Sequence, residues 1–119
     1  MADPVIHFEI VSSDASKLHS FYSDVFGWKI DANNPMNYGI VDNGGNGING
    51  GIGPPFDDTY PGHVTFYISV LDPAATLNKI ESLGGKTVMP PSEIPGADPP
   101  TTIAQFTDPG GNLIGLTKA

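Results

Sequence analysis

Side chains able to carry out acid–base chemistry lie on two stretches of alternating residues. The run Ile-His-Phe-Glu-Ile-Val puts His7 and Glu9 on one strand face, since successive side chains of a strand point to opposite sides of the sheet. In a second alternating run, His63, Thr65 and Tyr67 share a face. An imidazole beside a carboxylate can bind a metal ion or pass a proton, and a phenol can donate a hydrogen bond to a ligand. We therefore predict His7, Glu9 and Tyr67 as catalytic residues.

Further residues on or beside the predicted strands are candidates for ligand binding. A polar surface flanked by aromatic side chains is a candidate ligand cavity. Glycine within a strand removes a side chain, which would widen such a cavity and let a ligand approach the backbone. Structural alternatives stay open for each residue, above all packing for Trp28 and a loop-end position for His63. The predicted ligand-binding residues are His63, Thr65, Tyr38, Trp28, Gly50 and Gly115.

An amphipathic helix follows each alternating run. Asp14 is predicted to cap the first helix, whose apolar residues recur at helical spacing and which ends at Gly27. Asp72 is predicted to cap the second helix, with Pro73 at its first position and Gly84 after its end. Three short strands are predicted after each helix. The chain is therefore predicted to repeat a strand, a helix and three strands after about 57 residues.

The apolar strand faces have to be buried against the two helices, because these are the other large apolar surfaces of the chain. If the two modules curl into a half-barrel with helices outside, the polar strand faces converge on its concave side. The predicted single domain, 1–119, comprises module one at about 5–52, a linker at 53–62 and module two at about 63–119. The proline-rich stretch 89–100 is predicted to be a long, stiff loop that could cover the cavity.

The composition excludes several classes of function. The 119 residues include 5 Lys and Arg against 13 Asp and Glu, so we expect no nucleic-acid partner. The absence of cysteine excludes thiolate metal sites and cysteine nucleophiles. No apolar run approaches the length of a membrane span and the N-terminus lacks a targeting pattern, so we expect a cytoplasmic protein without a membrane partner.

Short motifs spread over nearly the whole chain are typical of one superfamily. They are His7-Phe8-Glu9-Ile10, Phe21-Tyr22, Phe26-Gly27-Trp28, Gly47-Ile48-Asn49-Gly50-Gly51, Val64-Thr65-Phe66-Tyr67-Ile68, Gly84-Gly85-Lys86, Ile94-Pro95-Gly96 and Asp108-Pro109-Gly110-Gly111-Asn112. In their order and spacing they resemble the vicinal oxygen chelate superfamily, which contains glyoxalase I, bleomycin-resistance proteins and extradiol dioxygenases. The resemblance implies an α+β fold of two βαβββ modules that form a curved half-barrel sheet with helices outside. It is closest to glyoxalase-like proteins with two modules in one chain.

The resemblance also implies a divalent metal ion held by up to four side chains, two from each module. His7 matches the first of these ligands, whereas Thr65 stands at the matching place in the second module. Gly115 and one of Gly50 or Gly51 stand where the closing strands usually carry glutamate. Glycine offers no side-chain ligand, so only His7 is retained as a candidate metal ligand. We expect no cofactor, with Ni, Zn, Fe or Mn as the alternative.

These observations predict a glyoxalase-like protein with a degenerate metal site that binds a small organic ligand or performs metal-independent acid–base chemistry on it. One alternative is a divalent-metal-dependent lyase, isomerase or dioxygenase of the glyoxalase type. Another is sequestration of a bleomycin-type antibiotic, which the net charge of -8 favours because such drugs are cationic. We also expect a homodimer, by analogy with two-module superfamily members and because pairing would cover exposed strand edges.

Overall fold

The computed structural model of the protein describes residues 2–55 and 61–119. In chain order its elements are β1 (Val5–Val11), α1 (Ala15–Phe26), β2 (Lys29–Asp31), β3 (Gly39–Asp42), β4 (Gly50–Gly53), β5 (His63–Val70), α2 (Pro73–Ser82), β6 (Lys86–Glu93), β7 (Thr102–Thr107) and β8 (Leu113–Lys118). A strand, a helix and three strands thus occur twice, which confirms the predicted α+β class with two βαβββ modules. Among the described residues, no helix is long and apolar enough to cross a membrane.

The chain forms two compact units. The first module, as we name it below, comprises the described residues 7–55 and 61–65, and the second comprises residues 2–6 and 66–119. The strand order is β2-β3-β4-β1 in the first and β5-β8-β7-β6 in the second. In each module the strand before the helix pairs in parallel with the last strand, and the other pairs are antiparallel. Of the predicted linker 53–62, residues 56–60 lie outside the described residues.

Helix α2 packs on one face of the second module's sheet. Its residues Leu77 and Ile80 belong to the main apolar core, as their helical spacing predicts. The sheet contributes Ile68, Val70, Ala104, Phe106, Ile114 and Leu116. Asp72 caps the helix by accepting a hydrogen bond from the Ala75 backbone N–H at 3.1 Å. The predicted cap and the apolar face of this helix are both confirmed.

Helix α1 is held to the first module mainly by aromatic rings. The Trp28 ring lies 5.2 Å from that of Tyr22 and 5.3 Å from that of Phe8, measured between centroids. His19 Nε2 also donates a hydrogen bond to the Ile52 carbonyl at 2.7 Å. The helix ends at Gly27, whose φ of +71° is in the left-handed region that favours glycine.

Two local predictions about α1 are wrong. Asp14 precedes the helix, but its side chain makes no capping hydrogen bond. The predicted apolar stripe is only partly buried, since Ala15 is the one fully buried residue of the helix. The side chains of Phe21, Val25 and Phe26 are each more than half exposed.

The prediction that every apolar strand face is buried is also wrong, most clearly in β5. Val64 is 74% exposed, whereas Thr65 and Tyr67 on the opposite face are 5% and 4% exposed. Helix α2 covers only the later part of β5, because Ile68 and Val70 are the residues of this strand that pack in the core formed with the helix. The polar face of β5 is therefore the more buried of the two at these positions.

The proline-rich stretch 89–100 is not a continuous loop. Strand β6 extends through it to Glu93 and pairs with β7, with register shifts around Met89. Proline cannot donate to a sheet, but β6 is the last strand in its module's order, and Pro90 and Pro91 fall within the irregular stretch. What remains is a shorter loop, closed by a hydrogen bond from Ile94 N–H to the Thr101 carbonyl at 2.9 Å.

Candidate functional site

Three side chains of the first module form a continuous hydrogen-bonded chain. The Tyr38 hydroxyl donates a hydrogen bond to Glu9 Oε1 at 3.1 Å. The Tyr38 hydroxyl oxygen also lies 2.8 Å from His7 Nε2. The rings of His7 and Tyr38 are close to parallel, with an angle of 14° between them. The structure thus connects the predicted catalytic residues His7 and Glu9 through Tyr38, which the sequence suggested only as a ligand-binding residue.

The three hydrogen-bonded side chains differ in their exposure to solvent. Glu9 is 5% exposed, whereas His7 and Tyr38 are half-buried. A buried carboxylate costs free energy unless it accepts hydrogen bonds, and the Tyr38 hydroxyl supplies one of them. The carboxyl group is therefore the least exposed of the three functional groups.

The hydrogen-bond pattern assigns the position of the imidazole proton. Burial lowers the pKa of His7 from its ordinary value of 6.5, so the ring is neutral at pH 7. Tyr38 has one hydroxyl proton and donates it to Glu9, so His7 Nε2 has to donate to the tyrosine oxygen. The remaining ring nitrogen, Nδ1, is then the basic one. This places a neutral base at one end of the chain and a carboxylate at the other.

Asn34 holds the backbone of Tyr38 in place. Its Oδ1 accepts hydrogen bonds from the backbone N–H groups of Met36 and Tyr38, at 3.2 and 3.0 Å, and its Nδ2 donates to the Tyr38 carbonyl at 2.7 Å. Strand β3 begins only at Gly39, because Asn34 folds residues 34–38 into a loop. Tyr38 therefore lies in a loop that the side chain of Asn34 holds in place.

Two glycines of β4 make room for the Tyr38 ring. A Cβ at Gly51 would clash with the phenol end of the ring, and one at Gly53 would lie 2.5 Å from Tyr38 Cδ1. Gly51 is also the register partner of Glu9 on the neighbouring strand. The Tyr38 ring can lie along β4, with its hydroxyl beside the carboxylate, because neither of these two positions carries a side chain.

A related arrangement occurs in the second module. Tyr67, Gly115 and Gln105 are register partners on the adjacent strands β5, β8 and β7. The Tyr67 ring covers Gly115, and Gln105 Nε2 donates to the Tyr67 hydroxyl at 3.5 Å. Both side chains are buried. Tyr67, predicted as a catalytic residue, is thus joined within its own module to a neutral amide.

The strand glycines do not widen a cavity, which corrects the role predicted for Gly50 and Gly115. A Cβ at Gly50 would clash with the Phe8 ring, and one at Gly115 would clash with the Tyr67 ring. Both spaces are therefore filled by aromatic side chains of the neighbouring strand. The loss of a side chain at the glycine is compensated by a ring, as close packing of protein interiors requires.

The remaining predicted ligand-binding residues lie elsewhere on the strands. Trp28 packs on Phe8, whose side chain points to the face of β1 opposite to His7 and Glu9. His63 begins β5 and is half-buried, and Thr65 is buried on the same strand. Sequence reasoning missed Asn34 and Gln105, and it named Gly51 only as one of two positions where a metal ligand is absent. For Asn34 the turn-forming Asn-Asn-Pro sequence was a usable signal.

This two-module fold with a polar site on the first module's sheet has a recognisable family. The model of the Glyoxalase/Bleomycin resistance protein/Dioxygenase superfamily matches residues 5–116. The chain therefore belongs to this superfamily, which confirms the resemblance found in the sequence motifs. No functionally curated protein matches the chain.

Solved structures resemble the chain along its whole length. A superfamily member from Vibrio splendidus 12B01 has a TM-score of 0.69 at 14% identity, over 99% of this chain and 100% of that one. Methylmalonyl-CoA epimerase from Mycobacterium tuberculosis has a TM-score of 0.64 at 19% identity, over 96% and 86% of the two chains. The Streptomyces coelicolor methylmalonyl-CoA epimerase in complex with 2-nitronate-propionyl-CoA has a TM-score of 0.65 at 14% identity, over 100% and 96%. At these identities the likeness shows the fold.

A divalent metal ion, which the superfamily implies, does not fit the described residues of the first module. The described residues contain no group of three or more His, Cys, Asp or Glu side chains that could hold an ion. His7 Nε2 and Glu9 Oε1 are both bonded to the Tyr38 hydroxyl. Gly51, the register partner of Glu9, offers no donor atom. Both candidate ligands are therefore engaged in hydrogen bonds with the same phenol.

Proposed function

We propose that the protein binds a small organic molecule on the polar sheet face of the first module and exchanges a proton with it without a metal ion. The observation that carries this proposal is the continuous chain from His7 Nε2 through the Tyr38 hydroxyl to Glu9 Oε1. General acid–base catalysis needs a positioned base within hydrogen-bond reach, and a hydrogen-bonded partner can take the proton on. His7 is such a base, and Glu9 is such a partner.

In the proposed step, Nδ1 of His7 removes a proton from the bound molecule. The Nε2 proton then passes to the Tyr38 oxygen, and the Tyr38 hydroxyl proton passes to Glu9. The bound molecule has become an anion, Glu9 has become neutral, and His7 and Tyr38 regain their original charge. The buried site thus gains no net charge, and neutralisation suits a carboxylate that is 5% exposed. Reversal of the same steps returns the proton.

The similar folds favour a carbonyl compound as the substrate class. Methylmalonyl-CoA epimerases share this fold, and an epimerase inverts a stereocentre. Next to a carbonyl, inversion can be achieved by removing a C–H proton and returning it, which is the chemistry that the three-residue chain can support. We therefore propose that the substrate carries an acidic C–H bond beside a carbonyl group.

Deuterium exchange tests this proposal directly. Carbonyl compounds, including 2-oxo acids and acyl-CoA thioesters, would be incubated with the protein in D₂O containing a chelator, and C–H loss would be followed by proton NMR. We expect at least one compound to exchange, with the rate lowered at least tenfold in Glu9→Gln and Tyr38→Phe. Tyr22→Phe, which removes a phenol on α1, is the matched control and should keep the wild-type rate.

The other outcomes separate the alternatives. Exchange that proceeds equally fast in Glu9→Gln would contradict the proposal. Exchange that is absent with the chelator and occurs only when the chelator is replaced by Ni, Zn, Fe or Mn would instead support the metal-dependent lyase, isomerase or dioxygenase alternative. Binding of a compound without exchange would support a binding protein.

A second candidate function is sequestration of a cationic molecule of the bleomycin type. The net charge of -8 favours it, because an acidic surface attracts cations at low ionic strength. Binding measured by calorimetry should then weaken as salt is raised from 20 to 500 mM, whereas a salt-independent affinity would count against it.

We also propose a homodimer in the cytoplasm. The exposed apolar side chains of Phe21, Val25 and Phe26 on α1 support pairing, since isolated monomers rarely leave adjacent aromatic residues in water. Light scattering at micromolar concentration should give twice the chain mass, and Phe26→Glu should halve it. A monomeric wild type would remove this proposal.

A further inference from the structure

We propose that Tyr38 is a specificity-determining residue that closes the first module to divalent metal ions, by placing its phenol oxygen where an ion between His7 and Glu9 would have to lie. The inference uses the same three residues as the proposed function. It does not require that they transfer a proton, so each can fail while the other stands.

The positions of the two donor atoms carry the first step. His7 Nε2 lies 2.8 Å and Glu9 Oε1 lies 3.1 Å from a single point, the Tyr38 oxygen. Imidazole and carboxylate are the nitrogen and oxygen ligands that Zn²⁺ accepts, at about 2.0–2.2 Å. An ion at that point would therefore need each donor to move by about 1 Å or less. The phenol oxygen occupies this point and leaves no space for the ion.

The second step concerns position 51. Gly51 is the register partner of Glu9, so a side chain there would stand beside Glu9 on the same sheet face. A carboxylate at this position would join His7 and Glu9 as a third donor. The Tyr38 ring occupies this space, because a Cβ at Gly51 would clash with its phenol end. The same ring thus takes the place of the ion and of a third ligand.

The third step is that the ring is firmly placed. Asn34 makes two hydrogen bonds to the Tyr38 backbone, at 3.0 and 2.7 Å. The hydroxyl is held by His7 and Glu9, and the ring lies on Gly53. Moving the phenol aside would break both bonds of the hydroxyl and leave a buried carboxylate without this donor. An ion from solution cannot displace the ring without that cost.

Metal titration of four variants tests the inference. Tyr38→Ala/Gly51→Glu removes the ring and adds the third donor, and Tyr38→Ala removes the ring alone. Tyr38→Phe keeps the ring but removes the oxygen, and the triple variant with His7→Ala removes a donor. Zn²⁺ binding would be followed by calorimetry, and Co²⁺ binding by its visible absorption. Circular dichroism establishes that each variant is folded.

We expect no stoichiometric binding by the wild type or by Tyr38→Phe. Tyr38→Ala/Gly51→Glu should bind one ion per chain, at least 100-fold more tightly than the wild type, and the added His7→Ala should abolish this. Tyr38→Ala should bind at least tenfold more tightly than Tyr38→Phe, which keeps the test decisive if the double variant does not fold.

Three results would overturn the inference. One is a wild-type protein that binds one ion per chain when the single variant His7→Ala, titrated alongside it, does not. Another is a folded double variant that binds no more tightly than the wild type. The third is equal affinity of Tyr38→Ala and Tyr38→Phe. The deuterium-exchange result is independent of all three, because it is measured in the presence of a chelator that removes free metal ions.

Discussion

Both modules cover a strand glycine with a tyrosine ring, but the two rings come from different places. Tyr67 lies on β5 and is itself the register partner of the glycine that it covers, Gly115. Tyr38 lies in the loop before β3 and reaches across β4 to Gly51. The ring in the second module is therefore fixed by its strand, whereas the ring in the first is fixed by the side chain of Asn34.

The hydroxyl groups also meet different partners. Tyr67 meets the neutral amide of Gln105 at 3.5 Å, and both are buried. Tyr38 meets the carboxylate of Glu9 and the imidazole of His7, and it is half-buried. A tyrosine ring packed on a strand glycine is thus part of the buried interior in the second module, whereas in the first module its hydroxyl contacts two ionisable side chains. The tyrosine–glycine pair alone therefore does not mark the candidate site. What distinguishes the site is that the tyrosine hydroxyl has ionisable partners and that the tyrosine is partly exposed to solvent.

The largest expected effect concerns the glycines beneath the rings. Gly115→Ala should cost about 3 kcal/mol of unfolding free energy, since the new methyl group meets the base of a ring fixed on a strand. Gly51→Ala should cost about 1–2 kcal/mol, because the far end of the Tyr38 side chain can turn away from the new methyl group but then loses its hydroxyl bonds. Urea denaturation measures both. A larger loss for Gly51→Ala would contradict the difference in rigidity between the two rings.

The next effect concerns the hydroxyl groups. Tyr38→Phe should cost about 1–2 kcal/mol, because it removes a donor from a buried carboxylate. Tyr67→Phe should cost about 0.5 kcal/mol, since its bond to a neutral amide is long. Urea denaturation of the two variants, each compared with Tyr22→Phe, gives the result. Equal losses at 38 and 67 would mean that the charged partners make no difference.

A smaller effect separates the helix caps of the two modules. Asp72→Ala should cost about 1 kcal/mol, because it removes the hydrogen bond to Ala75 N–H. Asp14→Ala should cost no more than a few tenths of a kcal/mol, since Asp14 makes no side-chain cap. Thermal denaturation of the two variants measures this contrast. The idea would be wrong if Asp14→Ala were the more damaging change.

The last effect is the pH dependence that His7 gives to the first module. Its pKa is lowered by burial from 6.5, so the unfolded chain binds the proton more readily than the folded one. This contribution to stability is therefore fully present above the unfolded value and is lost as the pH falls below about 6.5 towards the folded pKa. The difference between wild type and His7→Gln, measured from pH 7.5 to 5, isolates it. A pH-independent difference would contradict the burial of the imidazole.

Much of the fold follows from local patterns. Asp72 and Pro73 begin α2 because a carboxylate can cap the first turn and proline fits the first helical position. Alternation placed His7 and Glu9 on one face of β1, and the structure joins them through one hydroxyl. These features involve residues close in sequence, so their spacing is sufficient to predict them.

The sequence could not show what fills the space above a glycine or what covers an apolar strand. Both depend on distant residues: Tyr38 is separated by 29 and 31 positions from Glu9 and His7. The exposure of Val64 and the extension of β6 into the proline-rich stretch likewise depend on which elements lie alongside.

The sequence by itself thus determined the two βαβββ modules, the superfamily, and the pairing of an imidazole with a carboxylate on one strand face. The tertiary structure alone decided that Tyr38 bridges that pair and that the glycines carry aromatic rings. The physical reason is that periodicity dictates the direction of each side chain, whereas close packing of segments far apart in the chain decides which side chain it meets.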